Sequence, residues 1–168
     1  VAPSANISGT LSPVTAAHVA KSLHGKIGWI LDGGSCAEGL ESTIINATGE
    51  QPVMLRAGTI TTGQIARVCG VEVLMQLSGS EGKIHSPGQL LRHYAPRSGL
   101  RLGTENPQPG EALLAFGPNI PAGFARVLNL SETGDLREAA ANLFSMLHQL
   151  EDTPIATMPV PKEGLGIA

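Results

Sequence analysis

The sequence predicts an α/β chain in two blocks joined by a long linker, the second block a small domain built on a parallel sheet. Three observations carry that expectation. After residue 99, short apolar runs and a helical pattern follow one another as strand, strand, helix, strand. The runs "EALLAFG", "ARVLNLS" and "TPIATMPV" are continuously apolar rather than alternating, as strands covered on both faces are. Between them, "GDLREAAANLFSMLHQLED" places Leu136, Ala140, Leu143, Phe144, Leu147 and Leu150 on one helical stripe.

The first block opens on "PSANISGTLSP", in which Ser4, Asn6, Ser8, Thr10 and Ser12 all fall on even positions. In an extended segment those side chains share one face. That face is either a solvent-facing edge strand or a pocket wall of short hydrogen-bonding groups. Ser12-Pro13 before "VTAAHVAKSLHG" predicts a helix with Ser12 as N-cap, Pro13 at its first position and Gly25 ending it. Val14, Ala17, Ala20 and Leu23 form its expected buried stripe. "KIGWILDGG" predicts a short buried strand closed by a Gly-Gly turn. "LESTIIN" and "PVMLRAG" predict two more strands joined by the turn "ATGEQ". Thr61 or Thr62 then starts a helix over "GQIARVCG", and "VEVLMQL" closes the block near Leu77. From Ser78 to Ser98 neither hydrophobic period is present. A stretch of about 20 such residues is a functional lid or an interdomain connection. The expected organisation is therefore 1–77, a linker over 78–98, and 99–168.

Composition narrows the function. With 168 residues and 42% hydrophobic content the chain has enough apolar material for a core. Gly and Pro together make about one fifth, below the ~25–30% of disordered sequence. A net charge of −3 and only 3% aromatic residues disfavour a dedicated nucleic-acid binder. Cys36 and Cys69 are isolated and read as reduced thiols in or near the core. The five histidines lack metal-ligand spacing, so no zinc site is expected. No apolar run approaches the ~20 residues of a membrane span, and no signal peptide is read, so a cytoplasmic protein is expected.

Three segments concentrate polar groups where chemistry can sit. The opening segment is one. "GGSCAEGLESTI" spaces Gly34 and Gly39 as a phosphate loop does, but Leu40 and Glu41 stand where that loop needs Lys and Ser/Thr. A P-loop is thereby rejected. Ser42, facing away from Glu41 on a strand, is either a cross-strand hydroxyl or a pocket hydroxyl. In "LRAG", Arg56 ends a buried strand. It snorkels to solvent, or its planar fork is aimed at an anion, or it forms an ion pair with Glu41 or Asp32.

Taken in order and spacing, "PSANISGTLSP", "GLESTII", "LRAG" and "PGQLLRHYAP" resemble the threonylcarbamoyl-AMP synthase family, in its longer, Sua-type form. Those members join a YrdC-like α/β domain to an extra C-terminal domain. The second block, with "PVPKEGLG" near its end, resembles that extra domain. The resemblance implies a fold of three parts: the C-terminal part of a YrdC-like domain (1–77), a linker or lid (78–98), and a Rossmann-like, parallel-sheet domain (99–168). It also implies that the chain is a fragment lacking the upstream half of the YrdC-like domain, and inactive alone.

The family makes threonylcarbamoyl-adenylate and pyrophosphate from L-threonine, bicarbonate and ATP with Mg²⁺. The product feeds tRNA threonylcarbamoyl-transfer machinery, and RNA contact would come through the missing half. Carried over residue by residue, Ser4, Asn6, Ser12, Arg56 and Tyr94 are expected at ATP, with His93 the alternative to Tyr94. Arg56 is the expected catalytic group on the phosphates. The main chain at Ala2 and the hydroxyl of Ser42 are expected at L-threonine. Two rival readings are carbamoyl-adenylate chemistry of the hydrogenase-maturation kind and a YrdC-like RNA-binding module.

Overall fold

The computed structural model describes residues 4–76, 96–104 and 106–160. These form two compact units, 4–39 together with 96–160, and 40–76. The division at 39/40 lies inside the first block of the sequence. Residues 4–39 thus pack with the C-terminal α/β portion.

In the first unit, helix α1 spans Ala16–Ser22. Its N-cap is Thr15, whose hydroxyl accepts the His18 N–H at 3.2 Å, and not Ser12 as expected. Ser12 is buried at 5% exposure and lies before the helix. A cap must sit one turn from the amide it satisfies, and the chain does not coil until Thr15. Val14 is buried, yet no residue of α1 itself is, so the expected stripe through Ala17 and Ala20 is not formed.

The segment expected as a buried strand over 26–34 takes no strand pairing among the described residues. Trp29 and Leu31 stand 95% and 99% exposed. An apolar run forms a strand only where a neighbouring ladder receives its N–H and C=O groups. Gly39, at φ +66, lies against the backbone carbonyls of Ala140 and Ala141, where a Cβ has no room.

The rest of this unit is the expected parallel α/β structure. Strands β4 (Leu100–Arg101), β5 (Ala112–Ala115), β6 (Arg126–Asn129) and β7 (Ile155–Thr157) pair in parallel in the order β4-β7-β5-β6. Every residue of β5 is buried, and Leu113, Ala115 and Ala156 make a core cluster against which Phe124 and Met158 pack. β4, absent from the expected order, is two residues long and anchored by charge. Arg101 donates from Nε to buried Glu111 at 3.0 Å and also grips Thr104. β6 is an edge strand with its first two residues exposed, so it is not the buried strand expected.

Helix α3 (Leu136–Gln149) buries Ala139, Ala140, Phe144 and Leu147 on the expected face. Asp135 caps it by accepting the N–H groups of Arg137 and Glu138.

The second unit holds strands β1 (Ile44–Asn46), β2 (Val53–Arg56) and β3 (Leu74–Met75) and helix α2 (Thr62–Cys69). β1 and β2 form the expected hairpin, and α2 crosses over to set β3 parallel to β2. Thr61 and Gln64 form a reciprocal capping box at the start of α2, and Gly70, at φ +72, ends it. Burial here is thin: Met54 and Val73 are covered, while Val68 and Met75 are exposed. Cys36 and Cys69 are both exposed, not core thiols, because neither lies on a covered face. Among the described residues no helix is long and apolar enough to cross a membrane.

Candidate substrate site

In the second unit, the hairpin brings "LEST" and "LRAG" side by side. Their approach depends on Gly58, where a Cβ would lie 2.5 Å from both the Glu41 carbonyl oxygen and the Thr43 nitrogen. Thr43 Oγ1 donates to the Ile60 carbonyl at 2.8 Å, tying the same two segments. Arg56 ends β2 and turns its guanidinium across the hairpin. Nε donates to the Ser42 carbonyl at 2.9 Å and Nη2 to Ser42 Oγ at 3.1 Å. Nη1 stands 3.7 Å from Glu41 Oε2. Of the open readings of Arg56, the ion pair with Glu41 is therefore present, and it is a long one. The arginine is held at three points on one loop, so its fork is oriented before any ligand arrives.

In the first unit, the opening segment is not extended. Ala5 has φ +52, a left-handed conformation uncommon outside glycine. The chain turns there, so the even-numbered side chains do not share one strand face. Asn6 Nδ2 donates to the carbonyls of Ile7 and Thr10, and Thr10 Oγ1 donates to the Ile7 carbonyl at 2.7 Å. Ile7 N–H is taken by Ser22 Oγ of α1 at 3.1 Å. The short polar groups thus build a compact turn, with Ser4 exposed and Ser12 buried at its two ends. Strain at a single non-glycine residue between Ser4 and Asn6 is the kind that binding sites hold.

Of the residues singled out in the sequence, Ser42 and Arg56 are brought into direct contact. Ser4, Asn6 and Ser12 lie together on the opening turn of the other unit. Ala2, His93 and Tyr94 lie outside the described residues.

A second cluster escaped the sequence reading. His18, Lys21, Arg97, His148 and Glu151 line a cleft of about 170 Å³ in the first unit. Lys21 Nζ reaches Glu151 at 3.0 Å and Arg97 Nε reaches it at 3.6 Å. Burial works to raise the Glu151 pKa, but the hydrogen bond from Lys21 and the charges of Lys21, Arg97 and His148 outweigh it and hold the carboxyl below its ordinary value. His18 is also held below its ordinary value, by burial first and then by His148 and Lys21. Lys21 and Glu151 stand 130 positions apart in the chain, and no spacing rule links the set.

The fold and the polar hairpin define an α/β protein with an oriented arginine at the end of a strand and a parallel-sheet C-terminal portion. Residues 1–58 match the telomere recombination family of Sua5, YciO and YrdC proteins, and residues 60–168 match the threonylcarbamoyl-AMP synthase C-terminal domain. The chain belongs to the threonylcarbamoyl-AMP synthase family.

It is 44% identical to the threonylcarbamoyl-AMP synthase of Bacillus subtilis over 108 residues, which is 64% of this chain and 31% of that one. It is 35% identical to the Pyrococcus abyssi enzyme of the same name, across 99% of this chain and 54% of the relative. The crystal structure of P. abyssi Sua5 complexed with L-threonine superposes with a TM-score of 0.83 at 31% identity, over 98% of this chain and 53% of that one. A variant of that protein with a His and a neighbouring Tyr both changed to Ala superposes at 0.80, with 29% identity, over 98% of this chain and 52% of that one. The chain spans about half the length of the P. abyssi relative. The YrdC-like and C-terminal α/β architecture expected from the sequence is thus the architecture of this chain.

Proposed function

We propose that a full-length protein carrying this sequence is an L-threonylcarbamoyladenylate synthase. The observation that carries the reading is the superposition of nearly the whole chain on a Sua5 structure that holds L-threonine. The threonine amine captures bicarbonate as a carbamate, with loss of water. A carbamate oxygen then attacks the α-phosphorus of ATP, which enters as its Mg²⁺ complex. The bond from the α-phosphorus to the bridging oxygen breaks, and pyrophosphate leaves with the electron pair.

Anions crowd one another at every stage, so the protein's task is positioning and charge relief, with no covalent nucleophile. Arg56, held by Ser42 and Glu41, faces the ATP phosphates in this reading. A phosphate approaching it competes with the Glu41 carboxylate, whose 3.7 Å separation makes it the weaker partner. Ser42 serves the threonine, with the main chain at Ala2. Ser4, Asn6 and Ser12 form the nucleotide side in this reading, with Tyr94 the further candidate for ATP binding. The adjacent His93 and Tyr94 make the same residue pair as the one replaced in the solved P. abyssi variant, which supports a role for this segment. A cytoplasmic protein feeding tRNA threonylcarbamoyl transfer fits this chemistry.

The test is pyrophosphate release by the full-length protein with each substrate left out in turn. Release that needs ATP, L-threonine and bicarbonate together supports the reading. Equal release with carbamoyl phosphate and no threonine would transfer the protein to hydrogenase-maturation chemistry.

A further inference from the structure

His148 of α3 stands 136 residues from Ser12 in sequence, yet its Nε2 lies 3.0 Å from the Ser12 carbonyl oxygen. A carbonyl accepts, so the ring donates Nε2–H there. The same ring stacks on His18 of α1, with centroids 3.9 Å apart and planes inclined by 26°. His18 turns its Nδ1 to accept the Val14 N–H at 3.3 Å. The stacked pair therefore grips both ends of the three-residue stretch Ser12–Val14, by a carbonyl at one end and an amide at the other. Cys36 N–H holds the Val14 carbonyl at 2.9 Å, and Leu11, Ser12 and Val14 are all buried.

The charges around the stack suit a joint rather than a ligand receptor. Glu151, only 6% exposed, takes Lys21 at 3.0 Å and Arg97 at 3.6 Å, so the cations that face the histidines already have their anion. These bonds leave Nδ1 of His18 unprotonated, because it accepts the Val14 N–H, and make Nε2 of His148 a donor. Nδ1 of His148 is buried without a hydrogen-bond partner. A second proton on His18 displaces the Val14 amide and sets a cation against the His148 face and beside Lys21.

We infer that His148 is a positioning residue for the synthase reaction: stacked on His18, it lets helix α3 of the C-terminal domain hold Ser12, and with it the nucleotide-side turn, in place. The inference rests on the reading of Ser12 as part of the ATP site. It gives the C-terminal domain a part in ATP binding through the turn that carries Ser12.

The test uses a full-length synthase carrying this sequence and follows KM for ATP, kcat and the exchange rate of the Val14 amide. His148→Ala raises KM for ATP about fivefold, the scale of one lost neutral hydrogen bond, and changes kcat less. His148→Gln returns an N–H close to the Nε2 position and restores KM. Acidification below about pH 6.5 lowers the protection of the Val14 amide, taken as exchange relative to the unfolded chain at the same pH, and raises KM for ATP in step. An unchanged KM in His148→Ala with only a lower Tm overturns the inference, as does a Gln variant as impaired as the Ala variant. If no pyrophosphate is released with all three substrates, the reaction assigned above fails. Val14 exchange then decides the clasp: faster in His148→Ala upholds it, equal exchange overturns it.

Discussion

Arg56 shows how one side chain is prepared by its neighbours. Ser42 takes two of its N–H groups and Glu41 lies near a third nitrogen, so the planar fork is fixed across the hairpin. Arg56→Ala in the full-length protein is expected to lower turnover by roughly 10²–10³, the usual effect of removing one preorganised charge-stabilising donor. Steady-state pyrophosphate release measures it. Unchanged turnover with a lower Tm would make Arg56 a structural ion pair only.

At the same scale, the pH dependence of stability follows from His18 and Glu151. The folded chain holds the His18 pKa down, so as the pH falls the unfolded chain takes up that proton first. Stability is full above about pH 6.5 and declines below it. Glu151, also depressed, adds stability that is present above the ordinary carboxylate range and lost as the pH falls through it. Urea midpoints between pH 8 and pH 4 should therefore fall steadily toward acid. A midpoint that rises from pH 7 to pH 5 would contradict the His18 assignment, and one that rises below pH 4.5 would contradict that of Glu151.

At the scale of elements, the helices with complete local signals formed where the sequence placed them. α2 carries Thr61, Gln64 and Gly70 at the positions a capping box and a left-handed end require. α3 carries Asp135 before a continuous apolar stripe. Asp135→Ala is expected to cost about 1 kcal/mol through the two amides it caps, read as a shift in the urea midpoint. α1 had a Ser-Pro signal of equal quality, and it failed. Ser12 is drawn into the buried turn that His148 holds, and the cap passes to Thr15. The segment around Trp29 shows the same limit for strands: apolar content was legible, but a ladder partner is not a property of the segment itself.

Across the whole molecule, order should follow burial. β5 is covered along its full length and α3 buries a continuous face, whereas the 40–76 unit covers little beyond Met54 and Val73. Hydrogen exchange of this 168-residue chain is expected to show strong protection in 112–158 and weak protection in 40–76. Equal protection in both would overturn that ranking. Trp29, the sole tryptophan, should emit as a water-exposed indole and be quenched freely by iodide. A blue-shifted, protected emission would show that the 26–34 segment is covered in solution.

The sequence by itself determined the local signals. These were the parallel-sheet character of the C-terminal portion, the β1–β2 hairpin, the start of α2 at Thr61 or Thr62, the apolar stripe of α3, and the ordered motifs that identify the family. Each depends on residues within a turn or two of one another, or on a pattern that survives without knowing its partner. Tertiary structure alone decided the rest. It bent "PSANISG" at Ala5 instead of extending it, moved the α1 cap to Thr15, and left Trp29 in water. It also set His148 against Ser12 and His18, and Glu151 against Lys21 and Arg97. Those contacts join groups far apart in the chain, and their energies exist only once packing has removed water and brought the partners within reach of one another.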